Sequence, residues 1–266
     1  GSALAVGDFD ADGRDDLAIG VPGEDFRRGT DAGGVSVLYG SGAGLGASGS
    51  ATFSQSGSVK GAPESNDRFG SSLAAGDFNG DGRDDLAIGV PGEDVGSKVD
   101  AGSVNVLYSG PSGLRRFGNR SWTQSGAVNG MVERGDRFGT ALAAGDFNGN
   151  GKDDLAIGVP GEDVGSKTDA GSVNVLYGRL TGLSSAGDYS FSQKGKIAGA
   201  VERHDMLGSS VHIGDLGPVD EFHIGGRVAT ESFLDQLDID AAHHVLDVGC
   251  GLGGSSRFAA QRYGCR

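Results

Sequence analysis

The chain has 266 residues and a formal net charge of −14 at neutral pH, from 22 basic and 36 acidic side chains. A surface this acidic argues against nucleic-acid binding, because contacts with phosphates require clustered Lys and Arg. The sequence has no apolar run of about 18 residues, which excludes a membrane-spanning helix. Gly supplies 52 residues without the three-residue period of collagen, which favours many tight turns between short strands.

The composition changes near the C-terminal end of the chain. Both cysteines, Cys250 and Cys265, and all five histidines lie after residue 203. This change indicates two unlike parts, and whether the two thiols pair stays open. The chain begins GSALAVGDF, without Met or a signal peptide, as a mature secreted protein or an excised piece would.

A repeat of 69 residues organises the first part of the chain. Asp8, Asp77, Asp146 and Asp215 follow one another at this interval, since 77 − 8, 146 − 77 and 215 − 146 all equal 69. Residues 74–108 and 143–177 are identical at 32 of 35 positions. Repeats of this length are typical of stacked supersecondary units.

Each repeat contains four short segments with strand character and none with a helical period. In the second repeat the first three are SSLAAGDF, DDLAIGV and GSVNVLYS, and a fourth segment is centred on Phe53, Trp122 and Phe191 in successive repeats. Four strands per repeat predict an all-β fold, a partial β-propeller of three four-stranded blades and part of a fourth. An open solenoid is the alternative. The small residues Ala74, Ala75, Ala87 and Gly89 would allow the inner strands to approach closely.

An acidic loop of the pattern D-x-[DN]-x-[DN]-G-x-x-D separates the first two strands of three repeats. Side-chain oxygens at positions 1, 3, 5 and 9, with the carbonyl of position 7, can surround a hard cation, and the Gly at position 6 permits the necessary turn. The predicted ligands are Asp8, Asp10, Asp12, Arg14 and Asp16; Asp77, Asn79, Asp81, Arg83 and Asp85; and Asp146, Asn148, Asn150, Lys152 and Asp154.

These loops predict three calcium sites, because calcium accepts flexible cages of oxygen ligands better than magnesium does. They are β-hairpin loops and not EF-hands, since position 12 holds Ile and not Glu. A polar turn without a cation is the alternative. Ligand charge falls from the first loop to the third, and we expect calcium affinity to fall in the same order. The additional acids Asp15, Asp84 and Asp153 are expected to face water.

The loops, together with Phe69-Gly70, Phe138-Gly139 and the GVPGED turns, resemble the FG-GAP repeat over residues 1–216. The resemblance implies a seven-bladed, integrin-like propeller with structural calcium, an extracellular or cell-surface location, and a protein or other extracellular ligand on the face opposite the calcium. Three blades and a fraction do not close a ring, so self-association through open blade edges is also expected.

The opposite ends of the blades carry a second set of acidic residues. Glu93, Asp94 and Asp100 recur with their counterparts in the loops GEDFRRGTDAG, GEDVGSKVDAG and GEDVGSKTDAG. This rim is either a solvated surface or a surface for a partner, and the sequence leaves both open.

The fourth repeat stops after Asp215, where Gly217, Val219 and His223 replace the expected ligands, so no fourth calcium site is expected. Residues 217–266 instead predict a short α/β segment in which VLDV is a strand, GCGLGG a turn and SSRFAAQRYG a helix. This segment resembles the start of a class I S-adenosylmethionine-dependent methyltransferase. The resemblance places Asp247, Gly249, Gly251 and Gly253 in the cofactor loop.

The methyltransferase-like segment ends before the second strand and its ribose-binding acid. We therefore expect neither S-adenosylmethionine binding nor catalysis from it. Natural fusion, recombination and assembly error are equally compatible with the junction near residue 216.

The favoured function is a calcium-binding module for extracellular protein binding or adhesion, without catalysis. A methyltransferase with an N-terminal propeller is the alternative. A hydrolase is a third, disfavoured because residues 1–203 contain neither His nor Cys.

Overall fold

The computed structural model describes residues 1–26, 29–125, 128–194 and 201–210. These residues form an all-β structure, and no helix that could span a membrane occurs among them. Two compact units are distinguished, Gly1–Ala144 with Lys152–Val211 and Gly145–Gly151 with His212–Arg266. The predicted α/β segment, its cofactor loop and the failed fourth calcium loop lie outside the described residues.

The first blade is a four-stranded antiparallel meander of β1 (Ala3–Gly7), β2 (Asp16–Val21), β3 (Gly34–Leu38) and β4 (Ala51–Phe53). Each strand is neighbour to the next in the sheet. Aliphatic and β-branched residues form the strands, and Gly and Asp lie in the turns that join them.

The second and third blades repeat this order. The second contains β5 (Leu73–Gly76), β6 (Asp85–Val90), β7 (Ser103–Leu107) and β10 (Arg120–Trp122), antiparallel throughout. The third contains β11 (Leu142–Gly145), β12 (Asp154–Val159), β13 (Ser172–Tyr177) and β14 (Ser184–Phe191). The three four-stranded sheets confirm the predicted blades.

A small hairpin was not predicted. Strands β8 (Ser109–Gly110) and β9 (Gly113–Leu114) pair with each other between β7 and β10. The backbone amide of Leu114 donates a hydrogen bond to the Tyr39 hydroxyl of the first blade at 3.2 Å. Strands of two residues have no measurable periodicity, so the sequence pattern could not reveal them.

Successive blades approach each other at glycine. A Cβ atom built on Gly89 would lie 2.1 Å from the carbonyl oxygen of Gly139, and one on Gly158 would lie 1.9 Å from that of Gly208. Any side chain would therefore separate the blades, which explains the small residues of the second strands. These contacts join a second strand to the Phe-Gly turn, or its counterpart, of the next blade, so the predicted close approach of inner strands stays a prediction.

The core lies between the sheets. In β6 and β12 every residue is buried, including Leu86 and Ile88 in the second blade and Leu155 and Ile157 in the third. One buried cluster joins residues of the first and second blades, and another joins residues of the second and third. Stacking therefore removes both faces of the second sheet from water, and apolar burial between blades is the main stabilising contribution.

Candidate metal site

The first acidic loop connects β1 to β2 and brings three carboxylates together. Asp8, Asp10 and Asp16 each offer an oxygen, and the three oxygens lie within 4.8 Å of one another. Asp8 and Asp10 are half-buried, whereas Asp16 is 1% exposed. Three anionic oxygens at this separation repel one another unless a cation or protons compensate their charge.

Backbone amides hold the first ligand of each loop. The Asp8 carboxylate accepts hydrogen bonds from the amides of Asp12 at 3.1 Å and Gly13 at 2.9 Å. The Asp77 carboxylate accepts the equivalent bonds from Asp81 and Gly82 at 3.1 and 2.8 Å. The glycine at the sixth position adopts a φ of +82° in both loops. This left-handed conformation wraps the chain around the carboxylate, as predicted for that Gly.

The third loop shows the same local turn. Within Gly145–Gly151, the Asp146 carboxylate accepts hydrogen bonds from the amides of Asn150 and Gly151 at 3.0 and 2.8 Å. Gly151 has a φ of +77°. The sequence pattern therefore produces one backbone shape in all three repeats.

The last acidic residue of each loop is the first residue of the second strand and is buried. Asp85 and Asp154 are 0% exposed. One carboxylate oxygen of Asp85 accepts a hydrogen bond from the Ser109 amide at 2.8 Å, and Asp154 accepts one from the Gly178 amide at 2.7 Å. Burial raises the pKa of Asp85 to about 8, although the bond from Ser109 opposes this shift. No ion pair to Asp85 occurs in the described part of the chain.

The fifth position behaves differently from the others. The Asp12 carboxylate pairs with the guanidinium of Arg14 at 2.8 Å, and Asp81 lies 3.7 Å from the guanidinium of Arg83. The structure therefore brings the carboxylates of Asp8, Asp10 and Asp16 together. Asp12 forms an ion pair with the side chain of Arg14, the residue whose backbone carbonyl is a predicted ligand. In the second loop the Asn79 amide nitrogen donates to Asp85 at 3.2 Å.

The expectation that Asp84 and Asp153 face water is wrong. The amide of Asp8 donates to the Asp84 carboxylate at 2.9 Å, and the Asp84 amide donates to the Asp8 carbonyl at 3.2 Å. Asp77 and Asp153 make the same two bonds, at 2.9 and 3.0 Å. The first acidic loop is therefore fastened to the second, and the second to the third. Asp15 is exposed, as predicted.

The opposite ends of the sheets carry the predicted acidic rim. Asp94 and Asp163 accept hydrogen bonds from the amides of Asp100 and Asp169 at 3.0 and 2.9 Å, so they shape the turns between the second and third strands. Asp94 and Asp163 are exposed. At Asp94 and Asp163 the rim therefore consists of solvent-exposed turns.

Glu93 and Glu162 do not belong to that solvated surface. Each is half-buried and accepts a hydrogen bond from a glutamine of the preceding blade, Gln55 and Gln124 respectively. Burial raises the pKa of each glutamate to about 7. The role of these glutamines was not predicted, although their spacing of 69 residues is visible in QSG, QSG and QKG.

Two further buried acids were also missed. Asp67 and Asp136 precede the Phe-Gly pairs and are 1% and 0% exposed. Burial raises the pKa of each to about 6. Their recurrence in DRFG was the available signal, but the pattern alone does not distinguish a buried Asp from a turn residue.

Stacked four-stranded blades with an acidic loop after each first strand define a repeat protein of the β-propeller class. Comparison with protein families matches the FG-GAP repeat at residues 1–38, 69–107 and 138–176. The chain therefore contains three segments that match the FG-GAP repeat. The methyltransferase resemblance of residues 217–266 stays a prediction.

Several named proteins are similar to this chain. Integrin alpha-PS2 of Drosophila melanogaster is 37% identical over 166 residues, 60% of this chain and 10% of that protein. Integrin alpha-V of Gallus gallus is 33% identical over 190 residues, 69% of this chain and 16% of that protein. Phosphatidylinositol-glycan-specific phospholipase D of Mus musculus is 38% identical over 128 residues, 48% of this chain and 15% of that protein.

The chain thus spans a small part of the relatives that it matches. Among solved structures, a Bacillus licheniformis rhamnogalacturonan lyase aligns with a TM-score of 0.41 at 12% identity, over 76% of this chain and 35% of the lyase. That structural likeness is too distant to support an inference.

Proposed function

We propose that this chain is a calcium-stabilised FG-GAP module that binds a protein or another extracellular ligand and has no catalytic role of its own. The observation that carries the proposal is the convergence of the Asp8, Asp10 and Asp16 carboxylates, whose oxygens lie within 4.8 Å of one another. Two further loops repeat the same sequence pattern and the same amide bonds to their first aspartate.

The donor chemistry of the loops fits calcium. All side-chain donors are carboxylate or amide oxygens, which hard cations prefer, and the loops contain no thiol or imidazole. The ligands would be Asp8, Asp10, Asp12 and Asp16 with the carbonyl of Arg14, and the residues at the same positions of the second and third loops. A bound calcium supplies the positive charge that the buried Asp16 and Asp85 need.

The role of the ion is structural. Each loop joins the first two strands of its blade, and hydrogen bonds link the first loop to the second and the second to the third. A cation that fixes one loop therefore stiffens the ends of two adjacent sheets. The acidic rim at the other end of the sheets is then available to bind a partner, as the resemblance to integrins implies.

The proposed location is outside the cell or at its surface. Calcium sites of extracellular modules bind with dissociation constants of about 10⁻⁴ to 10⁻³ M, which requires a calcium-rich compartment. Similarity to integrin α chains supports the same location.

The similarity to phosphatidylinositol-glycan-specific phospholipase D favours a second candidate, in which the module accompanies a hydrolase. Release of a labelled glycosylphosphatidylinositol anchor by the purified chain would support hydrolysis by the chain itself. We expect no release above the rate in buffer, because residues 1–203 contain neither a histidine to act as a base nor a cysteine to act as a nucleophile.

Thermal unfolding tests the calcium proposal. A ligand that binds only the folded state stabilises it by about 1.4 kcal/mol for each site at ten times its dissociation constant. The midpoint should therefore rise by several degrees between chelator and millimolar calcium. An equal concentration of magnesium should raise it less, because magnesium is reluctant to lose its water ligands.

A pair of variants shows whether the shift comes from the loops. Asp85→Asn keeps the side-chain volume and the acceptor for Ser109 but removes a charge, and it should reduce the calcium-dependent shift because it weakens one site. Asp94→Asn makes the same charge change on the exposed rim and should leave the shift intact. For the parent chain, equal unfolding midpoints in chelator and in calcium would exclude calcium binding in the loops.

A further inference from the structure

We propose that a second set of cation sites lies between adjacent blades, at the ends of the sheets opposite the acidic loops. Each site consists of side-chain oxygens from a glutamine, an aspartate, a glutamate and an asparagine. We name them interblade cluster 1 and interblade cluster 2. Cluster 1 contains Gln55, Asp67, Glu93 and Asn105, and cluster 2 contains Gln124, Asp136, Glu162 and Asn174.

The chain topology places cluster 1 away from the acidic loops. The loop of Asp77 to Asp85 enters β6, whereas Glu93 follows the other end of that strand. Gln55 follows β4 of the first blade, so its contact with Glu93 crosses from one blade to the next. The two kinds of site therefore lie at opposite ends of the same sheets.

Hydrogen bonds gather the side chains of cluster 1. The Gln55 amide nitrogen donates to Glu93, and the Asn105 amide nitrogen donates to the Lys60 carbonyl at 2.9 Å. The next residue, Gly61, lies against Gln55, since a Cβ there would be 2.3 Å from the Gln55 nitrogen. Lys60 and Gly61 are consecutive, so one short segment holds both amides.

Asp67 joins the cluster through the backbone. The amide of Gly92 donates to the Asp67 carbonyl at 3.1 Å, and Gly92 immediately precedes Glu93. The negative charge of Asp67 also contributes to the raised pKa of Glu93, after burial and against the bond from Gln55. The two carboxylates therefore lie close enough to interact.

Cluster 2 repeats the arrangement. Gln124 donates to Glu162 at 2.6 Å, and Asn174 donates to the Asn129 carbonyl at 2.6 Å. A Cβ on Gly130 would lie 2.4 Å from the Gln124 nitrogen. All these positions are 69 residues beyond their counterparts in cluster 1. Because both the four side chains and their hydrogen bonds recur, the cluster is a property of the repeat.

One side-chain oxygen each of the glutamine, the aspartate and the asparagine in both clusters is buried without a hydrogen-bond donor, whereas the other carboxylate oxygens of Asp67 and Asp136 accept the amides of Glu64 and Glu133. The oxygens without a donor are Gln55 Oε1, Asp67 Oδ1 and Asn105 Oδ1, and Gln124 Oε1, Asp136 Oδ1 and Asn174 Oδ1. The side chains that carry them are at most 3% exposed. Buried polar atoms in folded proteins are normally satisfied, so three acceptors together in each cluster indicate a ligand.

The chemistry of these atoms favours a cation. Protonation of Asp67 or Glu93 would reduce the charge and supply one O–H donor, which is too few for the three unpartnered oxygens of the cluster. Water would satisfy oxygens but leave two interacting carboxylates in a buried site. A cation meets both needs, and amide and carboxylate oxygens in a flexible arrangement suit calcium. Its position would bridge consecutive blades independently of the acidic loops.

Diffraction from crystals of the full chain grown with terbium(III), which replaces calcium in oxygen sites, gives the direct test. We expect anomalous density in both interblade clusters, at about 2.3 to 2.6 Å from the glutamine, aspartate and asparagine oxygens. Ordered water in both clusters, with terbium restricted to the acidic loops or absent, would overturn the proposal. Terbium in the clusters but not in the loops would sustain it while removing the calcium proposal for the loops.

Equilibrium dialysis with calcium provides a test in solution. The double variant Asp67→Asn with Asp136→Asn should bind two fewer ions than the parent chain at saturation. The control, Asp94→Asn with Asp163→Asn, makes the same charge change on exposed rim residues and should lose none. Unchanged stoichiometry in a folded Asp67/Asp136 double variant would contradict the proposal. The diffraction experiment uses the parent chain and remains decisive if that variant does not fold.

Discussion

Asp85 shows how one residue can make a repeat depend on an ion. Its carboxylate is fully buried at the start of β6, where it accepts hydrogen bonds from the Ser109 amide and the Asn79 side chain. Burial is the largest cause of its raised pKa, and the charges of Asp81 and Asp77 add to it. Two hydrogen bonds do not offset the desolvation of the anion, so the charged form is disfavoured unless a cation is bound.

Stability without calcium should therefore fall as the pH rises from about 4 to about 8. Asp85 has a pKa of about 8 in the folded chain against an ordinary value of 3.8, so the folded chain holds more protons than the unfolded chain in this window. Raising the pH then favours unfolding. Glu93 and Glu162, with pKa values of about 7, act in the same direction.

Urea unfolding in chelator at several pH values measures this effect. The free energy of unfolding should decrease between pH 5 and pH 8, and Asp85→Asn should make the decrease smaller. Millimolar calcium should also flatten the profile, because the bound ion stabilises the anions. A stability that increases over this window in chelator would contradict the assignment of buried carboxylates as the controlling groups.

At the scale of the element, the acidic loops are linked in series by the aspartate before each second strand. Asp84 exchanges two hydrogen bonds with the backbone of Asp8, and Asp153 does so with Asp77. The first residue of one loop is thus held by the next loop. These bonds fix the backbone of Asp8 and Asp77, the first predicted ligands of their loops. Asp84 and Asp153 are not themselves among the predicted ligands.

Asp84→Ala should destabilise the chain in chelator by about 1 to 2 kcal/mol, because it leaves the Asp8 amide without its acceptor in a partly buried contact. Asp15→Ala is the matched control, since Asp15 occupies the same repeat position but is exposed. It should change stability by less than about 0.5 kcal/mol. Chemical denaturation of both variants measures the difference, and equal effects would show that the interblade bonds contribute nothing.

The strands and loop turns could be predicted from the sequence, whereas the contacts between blades could not. Strand identity and blade order follow from local patterns, and DLAIGV with its flanking turns formed β2, β6 and β12 as predicted. The loop glycines follow from the same local rules. The partners of Asp84 and Asp153 belong to neighbouring blades, and the polarity of these two residues alone suggested exposure. Register between blades is a tertiary property, so only the structure could correct Asp84 and Asp153.

At the scale of the whole molecule, stacking is incomplete on the first blade. Leu4 is 63% exposed, whereas its counterparts Leu73 and Leu142 are each 9% exposed because a preceding blade covers them. Val6 on the same strand is 59% exposed. The outer face of β1 is therefore an apolar surface of the kind that the other blades bury.

This face should make the chain self-associate. Burial of apolar surface is favourable wherever a complementary face is available, and a neighbouring copy can supply one. We expect the mass measured by light scattering to increase with concentration. The double variant Leu4→Glu with Val6→Glu should have the mass of a monomer at every concentration, because association would then require the burial of two charges. The control Leu180→Glu alters an isolated leucine that is 82% exposed in the third blade and should leave association unchanged. A parent chain that stays monomeric throughout, or a control that dissociates as fully as the Leu4 and Val6 variant, would show that this face does not drive assembly.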